Sequence, residues 1–281
     1  MVLMYPGGMV PTGRTAPAFV RMAAHPLRWR LLTALAAGDY RVRELVDLLG
    51  HPQNLISYHL RLLRGSGLVT ARRSSFDARD SYYHLDLERC AHALAEAGAA
   101  LHPALRLDPG PSSGPSSGPS SGPSSGAAGG VPARPRVLFA CTGNSARSPI
   151  AAALLRHRSG GHVEVTSAGS HPKPRMHPNA VRVLREHYGI DLVGRRPRHL
   201  DTVAHRRFDH LISLCDKVRE VHPVFGDRQR PMHWSIPDPA APGDDDQASY
   251  PAFLRTAAEI DTRIRYLLPV LTHTTDPEVA S

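Results

Sequence analysis

Three segments in the first hundred residues space their apolar side chains at helical intervals. They cover residues 25–37, 42–49 and 52–64. In the third segment Ile56, Leu60 and Leu63 fall on one stripe, which predicts a buried helix face. The opposite side of that helix is polar and consists of Gln53, Asn54, Ser57, Tyr58 and Arg61.

Two extended stretches follow these helices. Residues 68–73 and 81–85 contain β-branched and aromatic side chains, and a polar turn separates them. A pair of helices followed by a basic hairpin is typical of winged DNA-binding domains, in which the second helix of the pair enters the major groove. The pattern therefore predicts a mainly α-helical winged-helix unit with a β wing.

The second half of the chain has a different pattern, in which short apolar runs stand before small polar loops. Residues 137–140 form such a run, residues 141–148 are mostly small and polar, and a helix-forming segment follows to residue 156. This order predicts strand, tight loop and helix. A further apolar run at 211–214 predicts a third strand of the same sheet.

A stretch without charged or large apolar side chains separates the two halves. Pro-Ser-Ser-Gly occurs four times between Pro111 and Gly126, and two alanines and two glycines follow. Such composition is typical of a flexible linker, which would hold two domains near each other without fixing their orientation. We expect a disordered N-terminus at 1–17, a DNA-binding domain at 18–108, the linker at 109–130, a second domain at 131–273 and a disordered C-terminus at 274–281.

The loop of the second domain contains Cys141 and Arg147, separated by five residues. The N–H groups of such a loop converge on a tetrahedral anion, and the dipole of the following helix favours negative charge there. A guanidinium can hold two oxygens of the anion, and the same field favours the thiolate of Cys141 as a nucleophile. We expect Gly143 and Asn144 to adopt left-handed backbone conformations. The predicted oxyanion-binding residues are Thr142, Gly143, Asn144, Ser145, Ala146 and Arg147.

The segment Cys-Thr-Gly-Asn-Ser-Ala-Arg-Ser at 141–148 resembles the loop of the low-molecular-weight protein tyrosine phosphatases and of the arsenate reductases with the same fold. The resemblance covers residues 135–271 and implies an α/β domain with a four-stranded parallel sheet. It further implies that Cys141 attacks phosphorus or arsenic, that Arg147 binds the oxyanion and that Ser148 hydrogen-bonds the thiolate. Many members have a second cysteine just before the arginine, where this chain has Ala146, so no disulfide can form inside the loop.

Chemistry on either anion needs a proton donor for the leaving oxygen, and the candidate is Asp238. An Asp-Pro after a short apolar segment suits a loop at the C-terminal end of a strand. In the phosphatases that the chain resembles, aromatic residues follow the matching Asp-Pro and flank phosphotyrosine, whereas Ala240, Ala241 and Pro242 follow here. This difference favours the reductase branch. Without a chemical role, Asp238 would be a turn-forming residue before proline.

Reduction of arsenate requires electrons from thiols. Cys215 follows the apolar run 211–214, so it is expected at the active-site edge of the sheet. In the thioredoxin-coupled reductases that the chain resembles, a cysteine at this strand end attacks the first thiol, and a third cysteine nearby receives the disulfide; no third cysteine follows here. Either Cys141 and Cys215 form one disulfide, or a small thiol such as mycothiol, glutathione or bacillithiol supplies the electrons. An inert buried Cys215 is the remaining alternative.

Residues 48–69 contain Ser-x-His-Leu followed by Leu-x-x-x-Gly-Leu-Val and resemble the ArsR-type repressors. The resemblance covers residues 18–98 and implies a homodimer that binds operator DNA; a winged helix used for protein contacts alone is the alternative. The cysteine pair of the best-known arsenite sensors is absent from segment 44–48, and we interpret Cys90 as a packed, inert cysteine. The predicted DNA-binding residues are Gln53, Asn54, Ser57, Tyr58, His59, Arg61, Arg72, Arg73 and Arg79.

Composition narrows the setting of both domains. Three cysteines in 281 residues and the lack of a signal peptide favour a reducing cytoplasm over a disulfide scaffold. The formal net charge of +9 suits anionic partners, and we expect neither a metal site nor a bound cofactor. We predict a cytoplasmic fusion of a repressor with an arsenate reductase that uses an external mycothiol, thioredoxin or glutathione system. The alternatives are a fusion with a tyrosine phosphatase, and a repressor whose second domain senses an oxyanion without turnover.

Overall fold

The computed structural model describes residues 15–102, 105, 134–192, 194–221, 231–240 and 246–273. The predicted linker at 109–130 lies outside these residues. So do the predicted disordered termini, except for residues 15–17. No helix within these ranges is long and apolar enough to cross a membrane.

The first domain is a winged helix, as predicted. Its helices are α1 (Ala18–Ala23), α2 (Pro26–Ala37), α3 (Val42–Leu49), α4 (Gln53–Gly65) and α5 (Leu87–Leu101). Its strands are β1 (Tyr40–Arg41), β2 (Val69–Arg73) and β3 (Ser81–Leu85), which form an antiparallel sheet in the order β1-β3-β2. The stripe of Ile56, Leu60 and Leu63 is fully buried in the core. The sequence pattern missed α1 and β1, because α1 has six residues, none of them buried, and β1 has two residues.

The second domain has the predicted four-stranded parallel sheet. Its strands are β4 (Arg136–Cys141), β5 (Glu164–Gly169), β6 (His210–Ser213) and β7 (Met232–His233), in the order β5-β4-β6-β7. Its helices are α6 (Arg147–Arg158), α7 (Pro178–Tyr188), α8 (Asp216–Val221) and α9 (Asp246–His273), with a 3₁₀ helix at Leu200–Val203. Helix α6 packs on β4 and β5 and against α9. Parallel strands bring the ends of β4 and β6 to one edge, which positions the site.

The two domains are docked against each other, contrary to the expectation that the linker leaves their orientation free. Asp39, between α2 and β1, is almost fully buried; it pairs with Arg263 of α9 at 2.9 Å and accepts a hydrogen bond from the Ser235 N–H at 2.7 Å. Burial alone would raise the pKa of Asp39, but the Arg263 guanidinium holds it below its usual value. A buried carboxylate is tolerated only with such partners, so this contact belongs to the docked arrangement of the two domains.

Candidate active site and DNA-binding surface

The loop at the centre of the site joins the last residue of β4, Cys141, to the first residue of α6, Arg147. The Cys141 side chain is 2% exposed. Asn144 has a φ of 44°, and it is the one non-glycine residue of the described chain with a positive φ. The expectation of a left-handed conformation is thus confirmed for Asn144 and wrong for Gly143, which has no positive φ.

Hydrogen bonds of this loop are aimed at the Cys141 sulfur. The Ser148 Oγ lies 2.9 Å from Cys141 Sγ and accepts a hydrogen bond from Asn144 Nδ2 at 2.9 Å, which leaves the Ser148 proton free to point at the sulfur. The Asn144 N–H also donates to Cys141 Sγ at 3.3 Å. In turn, Asn144 Oδ1 accepts from the Arg198 N–H at 2.9 Å, which fixes the orientation of its amide. Negative charge on the sulfur is therefore met by oriented donors.

A glycine at the end of β5 lies directly against this loop. A Cβ at Gly169 would stand 2.5 Å from the Thr142 carbonyl oxygen and 2.9 Å from the Asn144 nitrogen, distances that no real side chain keeps. The loop therefore needs a residue without a side chain at this position. Sequence reasoning missed Gly169, since a single glycine at a strand end is a weak signal.

The two polar side chains predicted for oxyanion binding and proton transfer are in contact. Arg147 Nη2 lies 2.8 Å from Asp238 Oδ2, and Nη1 donates to the Ile236 carbonyl at 3.0 Å. The Arg147 side chain is 6% exposed, whereas that of Asp238 is 54% exposed. Asp238 thus lies at the mouth of the site, while Arg147 forms part of the buried wall.

Cys215 lies beside the same loop, two residues after the end of β6. Its sulfur is 3.3 Å from the Thr142 hydroxyl, and the residue is 2% exposed. Burial raises the pKa of the Cys215 thiol, and the nearby Arg147 charge opposes that effect. The raised pKa favours the neutral thiol of Cys215, which lies near Cys141.

These groups line a common cavity of about 910 Å³. Its lining includes Cys141, Arg147, Cys215, Asp238, Lys173 and Ser75. A tetrahedral anion at its base would meet the loop N–H groups together with the Arg147 cation.

A basic segment that sequence reasoning missed runs along the loop. The backbone N–H groups of His171 and Lys173 donate to the carbonyl oxygens of Thr142 and Gly143, each at 2.9 Å. The Lys173 and Arg175 side chains thereby line the cavity. The sequence feature that could have indicated this segment is the cluster of basic residues and prolines at 171–178. Without the fold, the same composition is typical of a surface loop.

The recognition helix α4 presents its polar face outward. Gln53, Asn54, Tyr58 and Arg61 are exposed, and Ser57 is half-buried. His59 is different: it is 4% exposed and packs on His25, with the ring centroids 4.4 Å apart. The prediction that His59 contacts DNA is therefore wrong, because the residue lies on the core side of the helix beside Leu60.

The wing arginines divide into two kinds. Arg73 and Arg79 are exposed, as a phosphate contact requires. Arg72 instead pairs with Glu259 of α9 at 3.3 Å and donates to the Ser235 carbonyl. We correct the prediction for Arg72 accordingly, since its guanidinium is already used by the second domain in this arrangement.

The cysteine of the first domain stands apart from these sites. Cys90 of α5 packs against the core of the winged helix and is a free thiol. Burial raises the pKa of its thiol to about 11. A raised pKa leaves little thiolate at neutral pH, which favours the interpretation as a packed cysteine.

Comparison with known proteins finds a matching family for each half of the chain. Residues 136–276 match the low molecular weight phosphotyrosine protein phosphatase family, and residues 25–71 match the bacterial regulatory proteins of the arsR family. An arsenate reductase of Halalkalibacterium halodurans is 31% identical over 129 residues, covering 46% of this chain and 91% of that protein. One of Brevibacillus brevis is 33% identical over 129 residues, with 46% and 90% covered.

A solved arsenate reductase of Archaeoglobus fulgidus is 29% identical, with a TM-score of 0.39 over 47% of this chain and 98% of that one. One family match lies in each described domain, and the match in the first domain ends at residue 71, before β3 and α5. The chain therefore belongs to the low molecular weight phosphotyrosine protein phosphatase family, and it carries an arsR-family regulatory domain ahead of the phosphatase-like domain.

Proposed function

We propose that this protein is a DNA-binding regulator fused to a thiol-dependent arsenate reductase. The observation that carries the proposal is the second buried thiol in the cavity of the nucleophile, where the Cys215 sulfur lies 3.3 Å from Thr142 of the loop. Phosphate ester hydrolysis needs one nucleophile and one acid, whereas reduction needs two electrons, which a pair of thiols supplies.

The first step forms a bond between sulfur and arsenic. Arsenate sits on the loop N–H groups, and Arg147 turns from Asp238 to clasp two of its oxygens. The Cys141 thiolate attacks arsenic, and one arsenate oxygen leaves as water after it takes a proton from Asp238. Ser148, at 2.9 Å, holds the thiolate in line until the S–As bond forms. Arsenic is still As(V) in this adduct.

The second step moves the electrons. The Cys215 sulfur attacks the Cys141 sulfur, so that an S–S bond forms and the S–As bond breaks. The electron pair of the broken bond stays on arsenic, which becomes As(III), and the Cys215 proton passes to an oxygen of the departing arsenite. An external thiol, either a dithiol protein such as thioredoxin or a small thiol such as mycothiol or glutathione, then reduces the disulfide and restores both thiols.

The test is an assay of the full chain with arsenate and each thiol system, beside p-nitrophenyl phosphate. We expect arsenate-dependent thiol oxidation and little aryl phosphate hydrolysis. In Cys215→Ser, turnover should fall by about 100-fold or more, because an intramolecular attack is lost, and mass spectrometry should detect the arsenic adduct on Cys141. Cys90→Ser is the matched control and should behave as the wild type.

Two outcomes would contradict parts of this proposal. Rapid aryl phosphate hydrolysis without arsenate reduction by any thiol system would make the domain a phosphatase. Normal turnover of Cys215→Ser with a small thiol would show that this thiol attacks Cys141 directly.

We further propose that the first domain binds an inverted-repeat operator as a homodimer, with α4 in the major groove. Replacing Ser57 and Tyr58 by alanine should reduce the preference for the selected repeat over a scrambled duplex, with about 1–3 kcal/mol lost for each base contact. Arg61→Ala should weaken binding to both duplexes equally. The slope of the logarithm of affinity against the logarithm of salt concentration should become shallower by about one unit. Fluorescence anisotropy at several salt concentrations measures both effects. Unchanged preference in the double variant would exclude this face from base readout.

A further inference from the structure

The turn of the wing reaches into the catalytic cavity of the other domain. Ser75, between β2 and β3, is one of the residues that line this cavity with Cys141 and Cys215. Its N–H and its hydroxyl both donate to Asp216 Oδ2, at 2.7 and 2.9 Å. Asp216 directly follows Cys215 and begins α8. One residue of the DNA-binding domain therefore forms part of the active-site wall and holds the neighbour of the second thiol.

The Asp216 carboxylate depends on these donors. It is 3% exposed, and its other oxygen lies 3.1 Å from His233 Nε2. Burial would raise the pKa of Asp216, but the hydrogen bonds from His233, from the Ser75 N–H and from Ser235 lower it to about 2. If the wing withdraws, Asp216 exchanges both Ser75 donors for water, and the start of α8 loses the contact that holds it in position. Cys215 is attached to that start.

The catalytic domain presents carboxylates to the wing and the strand beside it. Glu220 accepts hydrogen bonds from the Ser74 hydroxyl at 3.1 Å and the Tyr82 hydroxyl at 2.9 Å, and it pairs with Arg41 at 3.3 Å. Glu259 binds Arg72 of the same hairpin. In winged-helix complexes, the wing approaches DNA phosphates. The carboxylates of Glu220 and Glu259 therefore place negative charge at the hairpin where a DNA phosphate would otherwise bind. Arg72 cannot bind Glu259 and a phosphate at once.

We propose that the wing is a positioning element of the active site, and that its docked position and its DNA-bound position exclude each other. The effect on turnover rests on the proposed reductase function. Operator DNA that draws the wing away removes Ser75 from Asp216 and slows the chemistry at Cys215. By thermodynamic linkage, docking weakens DNA binding by the same factor. Tyr58 of the recognition helix is 52% exposed in the docked state, so DNA can engage α4 first and then compete for the wing.

The experiment uses the full chain and a duplex selected on it from a random pool. We follow two readouts as the duplex is added: arsenate turnover, and alkylation of Cys215 by iodoacetamide, measured by mass spectrometry across a pH series. Saturating duplex should lower kcat by about 5-fold or more, the lower end of typical coupling between sites. It should accelerate Cys215 alkylation by a similar factor, because the cavity loses one wall.

Two variants separate positioning from general damage. Ser75→Ala should lower kcat with little change in the KM for arsenate, and it should shift the pH profile of Cys215 alkylation; Ser66→Ala, a serine of the same domain away from the cavity, is the matched control. Glu259→Gln should release Arg72 and tighten DNA binding by about 5-fold. It should also steepen the slope of the logarithm of DNA affinity against the logarithm of salt concentration by about one unit.

The alkylation readout also keeps this proposal separate from the reductase function. If no thiol system supports arsenate reduction, the proposed function fails, but Cys215 alkylation still reports whether the wing leaves the cavity. Alkylation that is unchanged or slower at saturating duplex overturns the proposal, whatever the turnover. Unchanged DNA affinity in Glu259→Gln overturns the competition for the wing.

Discussion

Replacing Cys141 by serine should reduce arsenate turnover by about 10⁴-fold or more, the scale of a lost nucleophile. The serine hydroxyl is not ionised at neutral pH, and the donors from Ser148 and Asn144 stabilise a sulfur anion that the variant does not have. No bond to arsenic forms, so no disulfide with Cys215 can follow. The measurement is arsenate-dependent oxidation of the external thiol.

The control for this variant is a test of whether it folds as the wild type does. Serine is smaller than cysteine and polar, so it fits the same space and can accept the same hydrogen bonds. Cys141→Ser should therefore still bind a selected duplex with wild-type affinity and unfold at a similar temperature. Turnover within 10-fold of the wild type would remove Cys141 from the mechanism.

Replacing Arg147 by lysine should lower kcat/KM for arsenate by about 10²–10³-fold, although the charge is kept. The guanidinium contacts the Ile236 carbonyl and Asp238 through two different nitrogens, which one ammonium at that depth cannot reproduce. It also cannot clasp two arsenate oxygens in a fixed plane. Initial rates over a range of arsenate concentrations give the ratio.

Arg175→Lys is the matched control, since Arg175 lines the same cavity without a contact to Asp238. It should change kcat/KM by less than about 5-fold, because point charge suffices at the rim. Equal effects of the two variants would mean that Arg147 acts only through its charge.

The sequence predicted those features whose signals are local. Helical spacing placed α2, α3 and α4 to within a residue, and the apolar run before Cys141 placed β4. The cysteine and arginine spacing, with the strand before it and the helix after it, located the loop. In each case a few neighbouring residues contain the whole pattern.

The features that sequence reasoning missed depend on contacts between distant segments. Gly169 matters only because β5 pairs with β4, and Arg72 is engaged only because the wing meets α9. His59 was assigned to DNA by its position in a family motif, although the helical period puts it next to the buried Leu60. A motif position does not determine which way a side chain faces, and the composition of a linker does not determine whether the domains that it joins have matching surfaces.

The close contact between Gly169 and the loop has a consequence for the speed of binding. The floor of the loop is the backbone edge of a β-sheet, so its curvature is set during folding rather than by the ligand. Anion binding then costs little conformational entropy, and the N–H groups need no reorientation as charge develops. Capture of a small oxyanion is then slowed by the turn of Arg147 from Asp238 and not by the loop backbone, and discrimination between anions of similar shape falls to the later chemical step.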